Sequence, residues 1–488
     1  MNNFKKLLAV SGNSVATSTA EPWGYMHGYQ GLGMLNSKIT INGDDLVCFG
    51  GYNGGAASIK KDGSAVNWSK QYTGPVLTHS SRGSDTPSYD DLDTFQRPLV
   101  LSSTKTIFPQ EGLWLYLSPF LALYYKGYKF INTGTGSVTS DRIIPQETSY
   151  DSASSGIYVE SHTFCRDSSG NYILCFESSN EAYMEGYNSS DVLQWTKKTS
   201  SKGDLLKPLV ENIGTDTLVP CVEAGEMRFA YVNITTGAVS NFNGKRLSGY
   251  QSTGTYNIGT ERLGYDSSGN ISLMQKSVEE FDSNTVGSRQ QVWIRMSSGQ
   301  YGSVVSAYGI SYILSSQESF AACMDSSDNL YFMARDDDES NATTPEYGPK
   351  IIKLASDGTT VWERVITSSY TGTSICTIYD INVSGNDDLF YVTCRLRHSN
   401  PLGYDTFILA LPTDGTSTTF SGGGKTYYFK PLTDGNSRFA ITSYSHTVST
   451  DTGTATWSTA TSPGNYTTAI GASSDSDLTQ SYTDLTVS

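Results

Sequence analysis

The segment from Asp325 to Val365 contains the pattern that decides the fold. It opens with Asp325-Ser326-Ser327-Asp328-Asn329, a polar turn directly before the apolar run LYFMA (330–334), and it ends in KLASDGTTVWERV (353–365), where a second turn separates two strand-like stretches. Asp accepts hydrogen bonds from the backbone of its own turn, and Gly or Asn tolerates the left-handed conformation that a short hairpin needs. The segment therefore predicts two β-hairpins in succession.

Both parts of this pattern recur along the chain. Related first turns begin at Asp167 and Asp266, each before an apolar strand, and the strand–turn–strand part occurs with turn centres near residues 62, 135, 190, 237, 299, 358 and 415. A spacing of about 45–75 residues fits four short strands per unit. One such sheet cannot bury both faces alone, whereas a ring of sheets can. We therefore expect an all-β chain that forms a seven-bladed β-propeller of four-stranded antiparallel blades.

The repeats divide the sequence into three parts. We expect an N-terminal arm (1–33) with a short helix at 3–10, a propeller (34–432) and a Ser/Thr-rich C-terminal segment (433–488). No Lys or Arg follows Arg438, and this composition cannot build a core of its own, so we expect an arm ordered by neighbouring chains or a flexible tail. The approximate blades are 34–74, 75–142, 143–200, 201–248, 249–308, 309–368 and 369–432, with a polar insertion at 78–93 outside the ring.

The charge balance excludes two classes of partner. The chain has 33 basic and 48 acidic residues, a formal charge of −15, and so lacks the basic footprint that binds nucleic acid or an acidic membrane surface. The longest apolar run (113–125) is shorter than the roughly 20 residues of a membrane span. Ser118 and Pro119 interrupt it. We read it as two buried strands that meet at a turn.

The cysteines and the N-terminal region indicate the compartment. The seven cysteines show no CxxC or Cys/His spacing, and most lie in apolar runs, where a free thiol behaves as a small buried hydrophobe. After Lys5 and Lys6 only four apolar residues (7–10) follow, whereas a secretory signal needs about 7–15. We therefore expect no signal peptide and folding in a reducing compartment.

No motif for catalysis, a cofactor or a metal is present, and we expect none of these sites. The acidic runs 336–339 and 90–93 lack the alternating oxygen ligands and the Gly of an EF-hand, which favours solvated loops over Ca²⁺ sites. Rigid aromatic side chains suit recognition. The candidate contacts with a partner or receptor are Trp23, Tyr25, Tyr29, Tyr183 and Tyr187. The candidate structural turn residues are Asp167, Gly170, Asp266, Gly269, Asp325, Gly63, Gly358 and Gly415.

The paired repeat, clearest at 325–362 and looser at 167–195, resembles bacterial and phage seven-bladed propeller repeats over roughly residues 34–432. With its free cysteines and a tail without basic residues, the chain is similar to propeller proteins in virions of tailed bacteriophages. The resemblance implies a structural protein of the tail tip, nozzle or fibre, assembled in the host cytoplasm. It further implies several copies in a symmetric assembly, other tail proteins as partners, and a glycan or protein receptor on the host surface.

Two alternatives belong to other classes. One is an extracellular bacterial propeller that binds or cleaves carbohydrate, and the other is a polysaccharide depolymerase within the tail. Paired carboxylates from different blades meet in space without any spacing in sequence, so the sequence leaves both alternatives open.

Overall fold

A computed structural model describes the chain in blocks, and all regular structure in these blocks is β. The described residues are 21–28, 38–49, 51–52, 55–73, 76–79, 83–85, 89–92, 97–117, 120–144, 163–178, 181–199, 204–205, 216–223, 226–240, 245–247, 260–277, 290–297, 303–312, 320–334, 346–369, 373–383, 388–399, 402–443, 448–450, 457–462, 470–471, 475–477 and 483–488. Within them no helix occurs, and hence none that could cross a membrane. The predicted all-β class is confirmed, and the helix expected at 3–10 lies outside these blocks.

The strands follow one another without intervening helices in the described blocks. Up to residue 144 they are β1 (Trp23–Gly28), β2 (Lys38–Asn42), β3 (Asp45–Phe49), β4 (Gly51–Tyr52), β5 (Gly55–Lys60), β6 (Val66–Tyr72), β7 (Val76–His79), β8 (Gly83–Asp85), β9 (Tyr89–Leu92), β10 (Leu99–Ser102), β11 (Lys105–Leu117), β12 (Phe120–Ile131) and β13 (Val138–Ile144). Up to residue 312 they are β14 (Thr163–Arg166), β15 (Tyr172–Ser178), β16 (Glu181–Tyr187), β17 (Leu193–Thr199), β18 (Asp204–Leu205), β19 (Asp216–Glu223), β20 (Glu226–Asn233), β21 (Val239–Ser240), β22 (Lys245–Leu247), β23 (Thr260–Tyr265), β24 (Ile271–Ser277), β25 (Gln290–Met296) and β26 (Val304–Tyr312). The remaining strands are β27 (Phe320–Met324), β28 (Leu330–Ala334), β29 (Lys350–Leu354), β30 (Thr360–Ser368), β31 (Thr373–Val383), β32 (Leu389–Ser399), β33 (Leu402–Pro412), β34 (Thr418–Gly422), β35 (Lys425–Lys430), β36 (Phe439–Ser443), β37 (Val448–Thr450), β38 (Trp457–Thr459), β39 (Ile470–Gly471), β40 (Asp475–Asp477) and β41 (Thr483–Val487).

Most of these strands form four-stranded antiparallel sheets, as the repeats predict. We name them sheets 1 to 7: β2-β3-β5-β6, β10-β11-β12-β13, β14-β15-β16-β17, β18-β19-β20-β21, β23-β24-β25-β26, β27-β28-β29-β30 and β31-β32-β33-β1. In sheets 1 to 6 each strand pairs with the next one of its own unit. Tight turns of the predicted kind connect most of these pairs.

Sheet 7 takes its outer strand from the other end of the sequence. β1 pairs antiparallel with β33, from Trp23↔Ala410 to Gly28↔Asp405. The strand–turn–strand pattern at 410–420 predicts β34 in this place, and that prediction is wrong, because β34 pairs with β35 and β41. A turn sets the chain direction over a few residues only, and the edge of β33 is already occupied by β1.

Apart from sheets 4 and 5, for which the described residues show no shared core, consecutive sheets pack face to face in chain order. In β15, Tyr172 and Leu174 pack in a core shared with sheet 2, whereas Ile173 and Cys175 pack in a core shared with sheet 4. Similar cores join sheets 1 and 2, 5 and 6, 6 and 7, and 7 and 1. Because successive side chains point to opposite faces, a strand buried on both faces reads as one apolar run.

The first strands of neighbouring sheets also contact one another. β31 contacts both β27 and β2, β27 contacts β23, and the series continues from β2 to β10 and from β10 to β14. The first strands of sheets 5, 6, 7, 1, 2 and 3 therefore follow one another in space in the same order as in the chain.

β35 and the Ser/Thr-rich C-terminal segment after it follow the outer strands in the reverse order. β35 pairs with β30 of sheet 6, β36 with β26 of sheet 5, β37 with β22, β38 with β17 of sheet 3, β39 with β7, and β40 with β6 of sheet 1. β41 then lies between β34 and β1. The strands described in the C-terminal segment thus pair within the chain, and do not form the flexible tail or the arm ordered by neighbouring chains that the composition suggested. An outer strand leaves unpaired N–H and C=O groups, and an extended segment can satisfy them without a core of its own.

The second unit differs from the others. The polar insertion at 78–93 includes β8 and β9, and β9 pairs with β11 and β4. The acidic stretch Asp90–Leu92 is therefore strand rather than the solvated loop that the sequence suggested, because backbone pairing with β11 holds it. The long apolar run contributes the end of β11 and the start of β12, which pair as two antiparallel strands from Thr106↔Ile131 to Leu117↔Phe120, and the predicted turn at 118–119 lies outside the described residues.

Candidate functional site: inter-sheet locks and closing strands

In each of sheets 3, 5 and 6, an aspartate at the start of the first turn accepts hydrogen bonds from the backbone of that turn. Asp167 Oδ1 accepts hydrogen bonds from the N–H groups of Ser169 and Asn171, both at 2.8 Å, while the Asn171 side-chain amide donates to Oδ2 at 2.7 Å. Asp266 and Asp325 make the same three kinds of bond in their own turns. The repeated Asp and Asn are thus a matched pair that satisfies the backbone of the turn.

The fourth position of these turns is left-handed and, in one copy, connects two sheets. Gly170 and Gly269 have φ of 82° and 77°, and Asp328 takes the equivalent place with φ of 66°. The Asp328 carboxylate accepts bonds from the Ser267 N–H (2.7 Å) and hydroxyl (2.6 Å) in the turn of sheet 5. Asp328 therefore has a left-handed backbone conformation that is uncommon for a residue other than glycine, and its side chain connects sheet 5 to sheet 6.

An aromatic residue of the last strand in one sheet packs against the second turn of the next sheet. Trp68 of sheet 1 lies against Gly136 of sheet 2, and a Cβ added to this glycine would come within 2.6 Å of the indole ring. The Trp68 Nε1–H donates to the Thr133 carbonyl at 2.9 Å, and the Tyr72 hydroxyl donates to the Gly136 carbonyl at 2.8 Å. Only glycine fits beneath the ring, with the positive φ of 72° that this turn has.

This indole–glycine lock recurs around the described sheets, and at one junction the Tyr308 ring takes the place of the indole. The other pairs are Trp195 with Gly237, Tyr308 with Gly358, Trp362 with Gly415, and Trp23 with Gly63. Indole N–H bonds to the same turns are Trp195 to Ile234 at 3.0 Å, Trp362 to Thr413 at 3.1 Å and Trp23 to Lys61 at 2.8 Å. The Gly and the aromatic residue of the sequence repeat therefore make contacts between units, not within one.

Sheets 2 and 3 are joined by a different device. The second turn of sheet 3 has Asp191 at its left-handed position, with φ of 65°. Its carboxylate pairs with Lys105 of sheet 2 and accepts a bond from the Tyr172 hydroxyl at 3.1 Å. An ion pair thus stands at this junction in place of an aromatic ring over glycine.

Trp23 and Tyr25 close the series between sheets 7 and 1. Both rings are buried, with exposures of 8% and 7%, and the Tyr25 hydroxyl donates to the Gly63 carbonyl at 2.6 Å. The sequence singled out these residues as partner contacts because they precede the repeats. In the structure they pack in the core between two sheets, which leaves little of either ring for a partner.

The other predicted contact residues lie in sheet 3 or outside the described blocks. Tyr183 is buried and stacks on Phe176 with a centroid separation of 5.6 Å, and the half-buried Tyr187 stacks on Tyr172 at 5.0 Å. Tyr29 falls in a block that the structure does not describe. The structure does not bring the four described side chains into one surface patch, because Trp23 and Tyr25 pack between sheets 7 and 1 whereas Tyr183 and Tyr187 lie in sheet 3.

A buried carboxylate joins two sheets to the C-terminal segment. Glu185 of sheet 3 accepts bonds from Arg142 of sheet 2 (2.9 Å), from the Ser462 hydroxyl (2.5 Å) and from the Tyr187 hydroxyl (2.6 Å). Burial lowers the pKa of Arg142, but the charge and hydrogen bond of Glu185 together with those of Tyr187 outweigh burial, so the net pKa is raised. Burial and the same carboxylate raise the pKa of Tyr187, so its phenol stays neutral and can donate.

A second buried ion pair lies where the first strands of neighbouring sheets meet. Asp380 of β31 is fully buried and receives two bonds from Arg97, at 2.8 and 2.9 Å, and one from the Ile39 N–H at 2.8 Å. Arg97 also donates to the carbonyls of Ile381 (2.6 Å) and Ala322 (3.2 Å). One guanidinium thus connects sheets 6 and 7 to the start of sheet 2. The sequence signal was an acidic residue inside the apolar run of β31.

Burial raises the pKa of the Asp380 carboxyl, but the positive charges of Arg97 and Lys38 and the bonds from Arg97 and Ile39 outweigh it. The net pKa lies below the ordinary value, so the carboxylate is ionised and the pair is charged. This arrangement stabilises contacts between strands and offers no proton near neutral pH.

The reactive residue types are otherwise buried or dispersed. Among the residues that the structure describes, no group of three His, Cys, Asp or Glu side chains could hold a metal ion. Burial raises the pKa of the Cys48 thiol to about 12 and also raises the pKa values of Cys175 and Cys394. The cysteine side chains that the structure describes are all buried, and they are Cys48, Cys165, Cys175, Cys323, Cys376 and Cys394.

Comparison with known proteins adds no family to this arrangement. No family model matches the chain, and no curated protein matches it. The locks and the closing strands are therefore the features on which a functional argument rests.

Proposed function

We propose that the seven sheets are the blades of one closed seven-bladed β-propeller. The observation that carries this proposal is the lock between Trp23 and Gly63, because it joins the last sheet to the first. The cores between consecutive sheets and the ordered contacts of the first strands support the same arrangement. Projection averages of the purified chain by electron microscopy would test it. Seven radial densities around a centre are expected, and an open arc or another number would refute it.

We further propose that this propeller is a structural protein of a tailed-bacteriophage virion, displayed on the tail tip, nozzle or fibre. The support is the resemblance of the repeats together with the free, buried thiols. The lining of the outer strands by an extended Ser/Thr-rich segment adds a backbone-paired outer layer of the kind that assemblies use. In this role neighbouring tail proteins contact the outer strands, and the loops of the blades contact the host surface.

Purified phage particles provide the test of the virion role. The intact chain should be found in particles by mass spectrometry, and an antibody against it should label the tail. Excess purified protein should slow adsorption of the phage to its host if the blade loops bind a receptor. Absence of the chain from particles would refute the virion role. Loss of viscosity of a host capsule on incubation with the protein would instead assign it a depolymerase activity.

A further inference from the structure

β41 fills a slot between two strands that do not pair with each other. On one side Leu485, Asp484 and Thr483 face β1 in antiparallel register, and on the other side β41 pairs with β34. Ser488 and Thr419 exchange two backbone hydrogen bonds at 3.0 and 3.2 Å. Without residues 483–488, β1 and β34 would present two facing edges with unpaired N–H and C=O groups, which is the geometry of a strand-addition site.

The slot contains a pocket for one apolar side chain. Leu485 is 7% exposed and lies opposite Gly24. A Cβ on Gly24 would come within 2.8 Å of Leu409 and 2.9 Å of Leu485, so the missing side chain makes the room that Leu485 occupies. Phe420 closes the pocket beside it. Backbone pairing gives such a site affinity, and the pocket selects the residue at one position.

Short pairings hold the last strands of the C-terminal segment in place. β38, β39 and β40 pair over two or three positions each. Among the side chains described between residues 448 and 488, Leu485 is the one apolar side chain that is buried. Pairings this short have low local stability, so residues 483–488 can separate from β1 and β34 of their own chain without unfolding a whole sheet.

We propose that the slot between β34 and β1 is a strand-addition site that a second copy of this chain fills with its residues 483–488 when copies assemble. An exchanged strand makes the same contacts between chains that it makes within one, so exchange joins copies without a new interface. The proposal depends on the pairing of β41 and not on the virion role, and either can fail without the other.

A cysteine pair across the slot tests the exchange in the full-length chain. Thr419 and Ser488 form a mutually hydrogen-bonded pair, and Ser421 lies opposite Thr486 two positions further along the strands. Because hydrogen-bonded and non-bonded pairs alternate in antiparallel strands, Ser421 and Thr486 are also a hydrogen-bonded pair. The Cα atoms of such pairs are about 5.5 Å apart, inside the range of disulfides. A Ser421→Cys chain and a Thr486→Cys chain would be co-expressed and oxidised. A reducible species of twice the 53.0 kDa chain mass is expected on a denaturing gel.

Two controls make the outcome specific. Ser190→Cys, on an exposed turn of sheet 3, replaces Ser421→Cys in a matched mixture and should give no covalent dimer. Adding Leu485→Asp to the Thr486→Cys chain should abolish the dimer, because the pocket does not accept a carboxylate. The Ser421→Cys/Thr486→Cys double variant reports pairing within one chain. A double variant that cross-links internally while the mixture stays monomeric overturns the proposal, and so does absence of both cross-links.

Discussion

Replacement of Gly63 by alanine tests whether the indole–glycine locks hold neighbouring sheets together. Gly63 has φ of 71°, and this conformation costs an L-residue about 1–2 kcal/mol. The new Cβ would lie 2.6 Å from the Trp23 ring, and overpacking of this kind costs about 1–3 kcal/mol. Gly63→Ala should therefore lower the free energy of unfolding by about 2–5 kcal/mol.

Gly43 provides a matched control for the backbone contribution. It has φ of 59°, and a Cβ at this position would have no atom within 4 Å. Gly43→Ala should cost only the conformational part, about 1–2 kcal/mol. Urea unfolding followed by far-UV circular dichroism and fluorescence compares the two variants with the parent chain, and coincident transitions justify the comparison of free energies.

Trp23→Ala completes a double-mutant cycle. Loss of the buried indole should cost about 3–5 kcal/mol by itself, and it also removes the ring that the new methyl group would strike. In the Trp23→Ala background, Gly63→Ala should then cost only about 1–2 kcal/mol, so the double variant is more stable than the sum of the single costs by about 1–3 kcal/mol. Additive costs, or equal costs for Gly63→Ala and Gly43→Ala, would refute the lock.

Further predictions concern three buried side chains, those of Asp380, Cys48 and Leu485. Asp380→Ala should lower the free energy of unfolding by about 3–5 kcal/mol, because it removes the acceptor of the Arg97 guanidinium. The pKa of Asp380 is lowered in the fold. The difference in unfolding free energy between the parent and Asp380→Asn, measured by urea unfolding at a series of pH values, should therefore be complete above the unfolded-state pKa of about 3.9 and vanish as the pH falls through the lower folded pKa. A constant difference down to pH 2 would contradict this. Burial raises the pKa of Cys48 to about 12, so a thiol reagent at pH 8 should label Cys48 only after unfolding, as peptide mapping would show, and labelling of the folded chain would contradict its burial. Leu485→Ala should cost about 2–5 kcal/mol, whereas the exposed Thr486→Ala should change stability by less than about 0.5 kcal/mol; equal effects in urea unfolding would place Leu485 outside a core.

The local part of the fold could be predicted from the sequence. Turns such as the one at Asp167 are specified by a few neighbouring residues, because the aspartate bonds to backbone groups two and four positions later. The apolar runs after these turns predict strands buried on both faces, as in β15 and β28. The length of each unit then limits each sheet to four strands.

The long-range pairings could not be predicted in the same way. The pairing of β40 with β6 joins positions about four hundred residues apart, and it uses backbone groups that every extended segment has. A Ser/Thr-rich segment therefore shows no preference for one sheet edge over another in its sequence. Asp380 gave a signal as an acidic residue in an apolar strand, but its partner Arg97 lies in another unit and nothing in the spacing connects them.

Trp23 is the case in which a sequence signal was present and could have been read. Three of the seven second turns are followed by a strand with a tryptophan, Trp68, Trp195 or Trp362, whereas the strand after Gly415 begins Thr418-Thr419-Phe420 and has none. If the last strand of a repeat array stands first in the sequence, a tryptophan in a strand-like pattern is expected before the first repeat. The structure has this order, because β1 is the outer strand of sheet 7 and Trp23 reaches Gly63 of sheet 1. With this order, a strand from one end of the described chain completes a sheet whose other strands come from the opposite end. Separation of sheets 7 and 1 therefore breaks the apolar core between them, together with either the contact of Trp23 with Gly63 or the pairing of β1 with β33.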